Sequence, residues 1–143
     1  MEHDPVNHPS HYMGNGMESI EVIESFHFGF HLGNVFKYLV RHKSKNGMED
    51  VKKALWYLKR FYENRDIKET QIRIWYNEQE PSQIKYLETI QAFKILDKTF
   101  THLNISFVMV ELLYLQVKCD SVNLLDELLA AMIDRLESYT NGL

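Results

Sequence analysis

The 143 residues are 45% hydrophobic and 25% charged, the make-up of an ordinary globular domain and not of a disordered chain. No apolar run approaches the ~18 residues of a membrane span, since the longest, around Ile105 to Val117, is broken by Glu111; the single cysteine, Cys119, excludes an internal disulfide and points to a reducing cytoplasm. The net charge of −4 is unevenly spread: residues 65–143 hold twelve acids against eight bases, whereas Lys37 to Arg60 holds eight bases and only Glu49 and Asp50 as acids. A focused excess of that kind concentrates anions, although a cluster of solvated lysines gives the same count.

Residues 1–16 form a polar arm punctuated by Pro5, Pro9 and Gly14-Asn15-Gly16, which reads as turns and, lacking an apolar h-region, not as a signal peptide. From Met17 to about Phe28 the spacing of Ile20, Ile23 and Phe26 predicts a short amphipathic helix, interrupted at Gly29. A second helix is expected from about Leu32 to Lys43, a turn over Ser44-Lys45-Asn46-Gly47, and a third helix from Met48 to about Asn64 carrying Val51, Ala54, Leu55, Leu58 and Phe61 or Tyr62 on one side. Gln71–Tyr76 alternates like a strand but is short enough to belong to a helix. Glu80-Pro81-Ser82 signals the start of a helix running over Ile84–Phe100. Ser106–Val117 is apolar nearly all round, a buried helix or strand, with helix favoured by its neighbours; Ser121 to Tyr139 reads as a helix with Leu124, Leu125, Leu128, Leu129, Met132 and Leu136 inside. The fold class expected is mainly α, a compact helical domain of about three helices plus a C-terminal helical region, with at most one short strand.

Three constellations carry candidate chemistry. In the arm, His8-Pro9-Ser10-His11-Tyr12 offers groups that bind a phosphate or stack on a base; the plainer reading is a polar terminus with histidines by chance. Glu18, Glu21 and Glu24 lie on successive turns, and Glu21 and Glu24 together with Glu49 suit Mg²⁺, a hard ion that prefers oxygen ligands, although such residues are more often a solvated helix face. Within Gly33–Lys45, Asn34, Lys37, Tyr38 and Arg41 stand at i, i+3, i+4 and i+7 on one helical face. The helix N-terminus at Met48–Glu49 follows at once, and free amides there favour anions. No Walker A sequence, glycine-rich dinucleotide fingerprint or paired-cysteine motif occurs.

Read together, N-H-P-S-H-Y, I-E-V-I-E, L-G-N-V-F-K-Y-L-V-R and K-x-G-x-E-D-V-K-K-A-x-W-Y-L closely resemble a family of small bacteriophage domains of unknown function, often described as phage nucleotide kinase. The resemblance runs from about Val6 to Tyr62. Its pattern falls on Pro9, His11, Tyr12, Glu21, Gly33, Asn34, Lys37, Tyr38, Arg41, Lys45, Glu49, Asp50, Lys53, Ala54 and Tyr57. It implies an arm (1–16) contributing to the site, a nucleotide-kinase-like helical domain (17–64) and an oligomerisation or accessory region (65–143). Nucleotide binding is then expected at His8, Pro9, Ser10, His11, Tyr12, Asn34, Lys37, Tyr38, Arg41, Lys45 and Lys53, with Lys37, Arg41 and Asp50 as the catalytic candidates. One departure stands out: many relatives place a small residue and a glycine after the arginine, where this chain has Arg41-His42-Lys43.

The function implied is transfer of a phosphoryl group from a nucleoside triphosphate to a (deoxy)nucleoside monophosphate. The alternatives are a non-enzymatic protein that sequesters a nucleotide signal, an all-α nucleoside triphosphate pyrophosphohydrolase relying on the glutamates, and a helical interaction module. The strongly apolar segments Ile84–Phe100, Ile105–Val117 and Val122–Leu136 exceed what the amphipathic core of residues 17–62 can cover, which predicts a homo-oligomer. Neither a membrane nor a specific nucleic acid is expected as a partner.

Overall fold

A computed structural model of the chain describes residues 18–78 and 102–142. Within them the three- and four-residue apolar steps become six helices: α1 (Ser19–Ser25), α2 (Phe30–Arg41), α3 (Met48–Tyr62), α4 (Arg65–Asn77), α5 (Leu103–Lys118) and α6 (Val122–Thr140). No strand occurs among the described residues, so the mainly α class is what the chain adopts. Residues 1–16 and the helix expected over Ile84–Phe100 lie outside the described residues.

Three of the helix starts have a local cap. Asn64 caps α4 by accepting from the Ile67 amide (3.0 Å), Ser121 caps α6 by accepting from Leu124 (3.2 Å), and His102 Nδ1 accepts from Asn104 (3.1 Å) ahead of α5. The segment left open as strand or helix, Gln71–Tyr76, is the second half of α4: its apparent alternation is the helical pairing of buried Gln71 and Trp75 at i and i+4. Likewise Ser106–Val117 lies in helix α5, which buries Ile105, Val108, Met109, Leu112, Leu113 and Leu115 on one broad face. Against expectation, α1 ends at Ser25, and Val22 and Phe26 face the core while Ile20 is exposed. The second helix also starts two residues before Leu32 and ends two before Lys43.

α2 and α3 run antiparallel, α5 and α6 form a second pair, and α6 lies along α3 while α5 reaches α2. The core is continuous, from Val22 and Phe26 through Leu32, Phe36, Leu39, Leu58 and Phe61 to Met109, Leu112, Leu129 and Met132. At about 1.5–3 kcal/mol for each large side chain removed from water, α5 and α6 contribute as much to this core as α2 and α3. Residues 65–143, expected as an oligomerisation or accessory region, thus supply α4, α5 and α6 to the same core. Much of the apolar surface of α5 and α6 is buried in this core, while Leu103 and Val117 of α5 stay exposed. No helix among the described residues is long and apolar enough to cross a membrane.

α4 fastens the α1–α2 connection. Trp75 Nε1 donates to the Phe26 carbonyl (3.0 Å), Gln71 Nε2 donates to the His27 carbonyl (2.7 Å), and Gln71 Oε1 accepts from the Gly29 amide (2.8 Å). His27 sits in the left-handed region (φ 54°), a conformation that costs a non-glycine residue free energy, and its carbonyl is held by Gln71 in that geometry. Replacing Gln71 by alanine leaves a donor and an acceptor of the connection without their partner. The unfolding free energy is expected to fall by about 1–3 kcal/mol, read as a lower urea midpoint at unchanged slope. An unaltered midpoint would remove this clamp from the account.

Candidate functional site

The antiparallel pairing of α2 and α3 brings together residues that are distant in sequence. Arg41, at the end of α2, directs Nε (3.3 Å) and Nη2 (3.1 Å) at Oδ1 of Asp50 in the first turn of α3, while Asp50 Oδ2 accepts from the Asn46 amide (3.2 Å). Asp50 is fully buried and Arg41 is 8% exposed. Burial alone would raise the Asp50 pKa, but the Arg41 guanidinium and the Asn46 amide outweigh it and hold the carboxyl below the usual carboxylate range. The Arg41 carbonyl in turn accepts from the Ser44 amide (3.0 Å) and the Lys45 amide (3.1 Å). Gly47 closes the turn at φ 53°, where a side chain would be strained, and donates to the His42 carbonyl (2.6 Å).

About one turn back along α2, Tyr38 lies nearly parallel to Tyr57 of α3, with centroids 6.0 Å apart and planes 17° apart. Three cations gather on the Tyr38 ring: Lys37 Nζ at 4.5 Å from its centroid, the Arg41 guanidinium carbon at 4.7 Å and Lys53 Nζ at 5.5 Å. The negative ring face stabilises each by about 0.5–1 kcal/mol, and Asp50 offsets one of the three charges. Tyr57 is also the hub of an aromatic ledge, touched edge-on by Phe30 (5.8 Å) and Trp56 (5.0 Å). Phe30 and Trp56 are 70% and 58% exposed. Beside Phe30 a shallow hollow of about 240 Å³ opens between α1 and α2 and extends to Asn34 and Lys37.

The expected residues are therefore divided. Asn34, Lys37, Tyr38, Arg41 and Lys53 come together on one face; Asn34 Nδ2 donates to the Phe30 carbonyl (2.8 Å). Asp50 adjoins that face from beneath. Its two oxygens are engaged by Arg41 and Asn46, so it acts on the site by positioning Arg41 and the turn, not as the ligand-facing catalytic group expected. Lys45 is exposed on the turn. The helix terminus at Met48–Glu49 does not present a row of open amides, because Glu49 and Asp50 donate to the Asn46 and Gly47 carbonyls (both 3.1 Å) and Asn46 donates to Asp50. Glu21 and Glu24 are exposed on α1 and Glu49 on α3. Glu21 accepts from the Glu18 amide (3.3 Å) as part of a helix cap. Among the described residues no three His, Cys, Asp or Glu side chains gather to hold a metal, so these glutamates do not fit the Mg²⁺ role. His8, Pro9, Ser10, His11 and Tyr12 lie outside the described residues. Phe30 and Trp56 were not among the sequence candidates. The signal for Phe30 is its spacing, at i to Asn34 (i+4) and Lys37 (i+7), hidden by placing the helix start at Leu32.

Residues 6–59 match a family model described as a protein of unknown function (DUF3310). No curated protein and no solved structure matches the chain. The family match takes in the arm, α1, α2 and most of α3, and stops short of α4.

Two measurements test the electrostatics. Asp50→Ala leaves a buried guanidinium without its carboxylate and is expected to cost about 3–5 kcal/mol of unfolding free energy. Glu137→Ala, which breaks the half-exposed Lys59–Glu137 pair (3.7 Å), is expected to cost less than about 1 kcal/mol. Equal losses would show that the Arg41 pair is not the stronger constraint. The second concerns His42, which is buried and donates Nδ1 to the Leu39 carbonyl. Burial lowers its pKa from the ordinary 6.5; the Leu39 contact and Asp50 oppose that, and Lys43 adds to it. The unfolded chain then binds the proton more readily, so stability is fully present above that ordinary value and falls as pH drops below it. Unfolding free energy should decrease between about pH 7.5 and about pH 5.5, and His42→Gln should flatten part of the slope. His31, lowered by burial and by Arg60, contributes in the same direction. A His42→Gln profile parallel to the parent's would contradict this.

Proposed function

We propose that the face built by α2 and α3 binds the phosphate end of a nucleotide, and that the protein acts as a nucleotide kinase of the kind its sequence blocks resemble. The observation that carries the reading is the gathering of Lys37, Arg41 and Lys53 on the single Tyr38 ring. Like charges held this close repel one another, and an anion placed among them removes that repulsion. Guanidinium and ammonium donors suit phosphoryl oxygens. Phosphoryl transfer from a nucleoside triphosphate to a monophosphate asks mainly for positioning and neutralisation of the charge spread over the moving group. Lys37 and Lys53 would supply that neutralisation from flexible stems, and Arg41 from a position fixed by Asp50.

A second reading, binding without turnover, is favoured by one observation. Asp50, the acid nearest these cations along the family pattern, is buried in an ion pair, where it cannot take a proton from an incoming hydroxyl. The pyrophosphohydrolase reading loses support from the dispersal of Glu21, Glu24 and Glu49. Incubation with radiolabelled ATP and a panel of nucleoside monophosphates separates the three. A labelled diphosphate supports the kinase, released pyrophosphate the hydrolase, and retention of unmodified nucleotide the sequestering protein. In the same assay Lys37→Ala and Lys53→Ala, both partly exposed, should weaken nucleotide affinity about tenfold each at an unchanged melting temperature, equivalent to about 1.4 kcal/mol. Parental affinity in both variants would place the ligand elsewhere.

A further inference from the structure

We infer that the hollow between α1 and α2 takes the nucleobase of the ligand whose phosphate lies on the Tyr38 face, an inference that rests on the nucleotide-binding reading above. The hollow has the shape and chemistry that a flat heterocycle needs. Its lining is apolar at Ile23, Phe28 and Phe30, with Gly29 and Gly33 completing it. Gly33 is a packing requirement of the helix pair: a Cβ there would lie 3.2 Å from Ile23 Cγ2, so α1 approaches α2 closely where α2 carries no side chain.

Phe30 is the wall with most surface to offer. At 70% exposed it carries more open aromatic area than a soluble surface favours, and its edge-on contact with Tyr57 (5.8 Å) fixes the orientation of the ring. A base stacked on an aromatic side chain gains about 1–3 kcal/mol whatever its identity. The polar groups of the hollow are Asn34 and Lys37. The Asn34 Nδ2 bond to the Phe30 carbonyl (2.8 Å) fixes the amide, whose Oδ1 can accept from a ring or exocyclic N–H. Lys37 belongs to both places, lining the hollow and lying 4.5 Å over Tyr38. One ligand with a flat donor-bearing ring at one end and a phosphate at the other would therefore span from Phe30 to the cation group across Lys37. That is the layout of a nucleoside monophosphate, and it distinguishes this ligand class from inorganic phosphate, pyrophosphate or a sugar phosphate.

The test measures dissociation constants by titration calorimetry for the full chain, with the common nucleoside monophosphates and with ribose 5-phosphate as a base-free probe. Phe30→Ala, at an exposed position, should weaken the best-bound monophosphate about tenfold, the expected loss of a base stack, and leave ribose 5-phosphate unchanged. Asn34→Leu should weaken it several-fold in the same selective way. Lys37→Ala should weaken both ligands together. If Phe30→Ala and Asn34→Leu leave the monophosphate affinity at the parental value while Lys37→Ala reduces it, the phosphate reading stands and the base subsite is overturned. Equal loss of both ligands in Phe30→Ala also overturns it, since the ring would then serve the phosphate face and not the base. Should no monophosphate bind the parent protein, both the site and this assignment fall.

Discussion

The buried pair between Arg41 and Asp50 is the constraint on which the rest of the candidate site depends. Taking a guanidinium and a carboxylate out of water costs several kcal/mol per ion unless each is fully engaged. Here the engagement is what shapes the turn. Asp50 binds Arg41 with one oxygen and the Asn46 amide with the other, while the Arg41 carbonyl receives the Ser44 and Lys45 amides. Side chain and main chain of one residue thus draw α2 and α3 into an antiparallel pair with a fixed register. That register lays Tyr38 along Tyr57 and carries Lys53 to within 5.5 Å of the Tyr38 ring. Without it, Lys37 and Lys53 would be separate solvated lysines on separate helices.

A face assembled in this way carries unrelieved repulsion. Tyr38 moderates it through its ring, and Asp50 cancels one charge, yet Lys37 and Lys53 still share a neighbourhood with Arg41. Proteins seldom hold such an arrangement by accident of surface composition, because flexible lysine side chains would relax apart in water at small cost. Here the stacked tyrosines keep an aromatic surface between them to which both are drawn. On the proposed reading this arrangement serves an anion, since the three cations are already brought to one ring when the chain folds.

Much of this was legible in the sequence and some of it could not be. The i, i+3, i+4, i+7 spacing of Asn34, Lys37, Tyr38 and Arg41 placed them on one face before any coordinates, as did the leucine stripe of α6, because both depend only on helical periodicity. The partition of α2 between core and site was also visible, with Phe36 and Leu39 on the opposite side. What sequence could not supply was the pairing across the turn. Arg41 and Asp50 each looked like a ligand group, and only the distance between them shows that the second positions the first. The start of α2 was missed because it is set from α4, through Gln71 on the Gly29 amide, a contact 42 residues away. Local signals place boundaries poorly wherever the deciding hydrogen bond is long-range.

The same long-range logic applies to the turn after Arg41, where the bulk of His42 is accommodated against a helix outside the residues of the family match. The imidazole is buried, held by the Leu39 carbonyl, with its ring edge-on to Tyr139 of α6 at 6.4 Å. His102, before α5, meets Tyr139 from another side at 4.9 Å. The α2–α3 turn therefore rests on the C-terminal helices as well as on its own ion pair. A small residue at position 42 would leave a void against Tyr139, and a large one would have nothing to pack on if α6 were absent. The imidazole in the turn and the presence of α6 are two halves of one packing solution. The C-terminal region, which looked separable by sequence, is part of what holds the candidate site in shape.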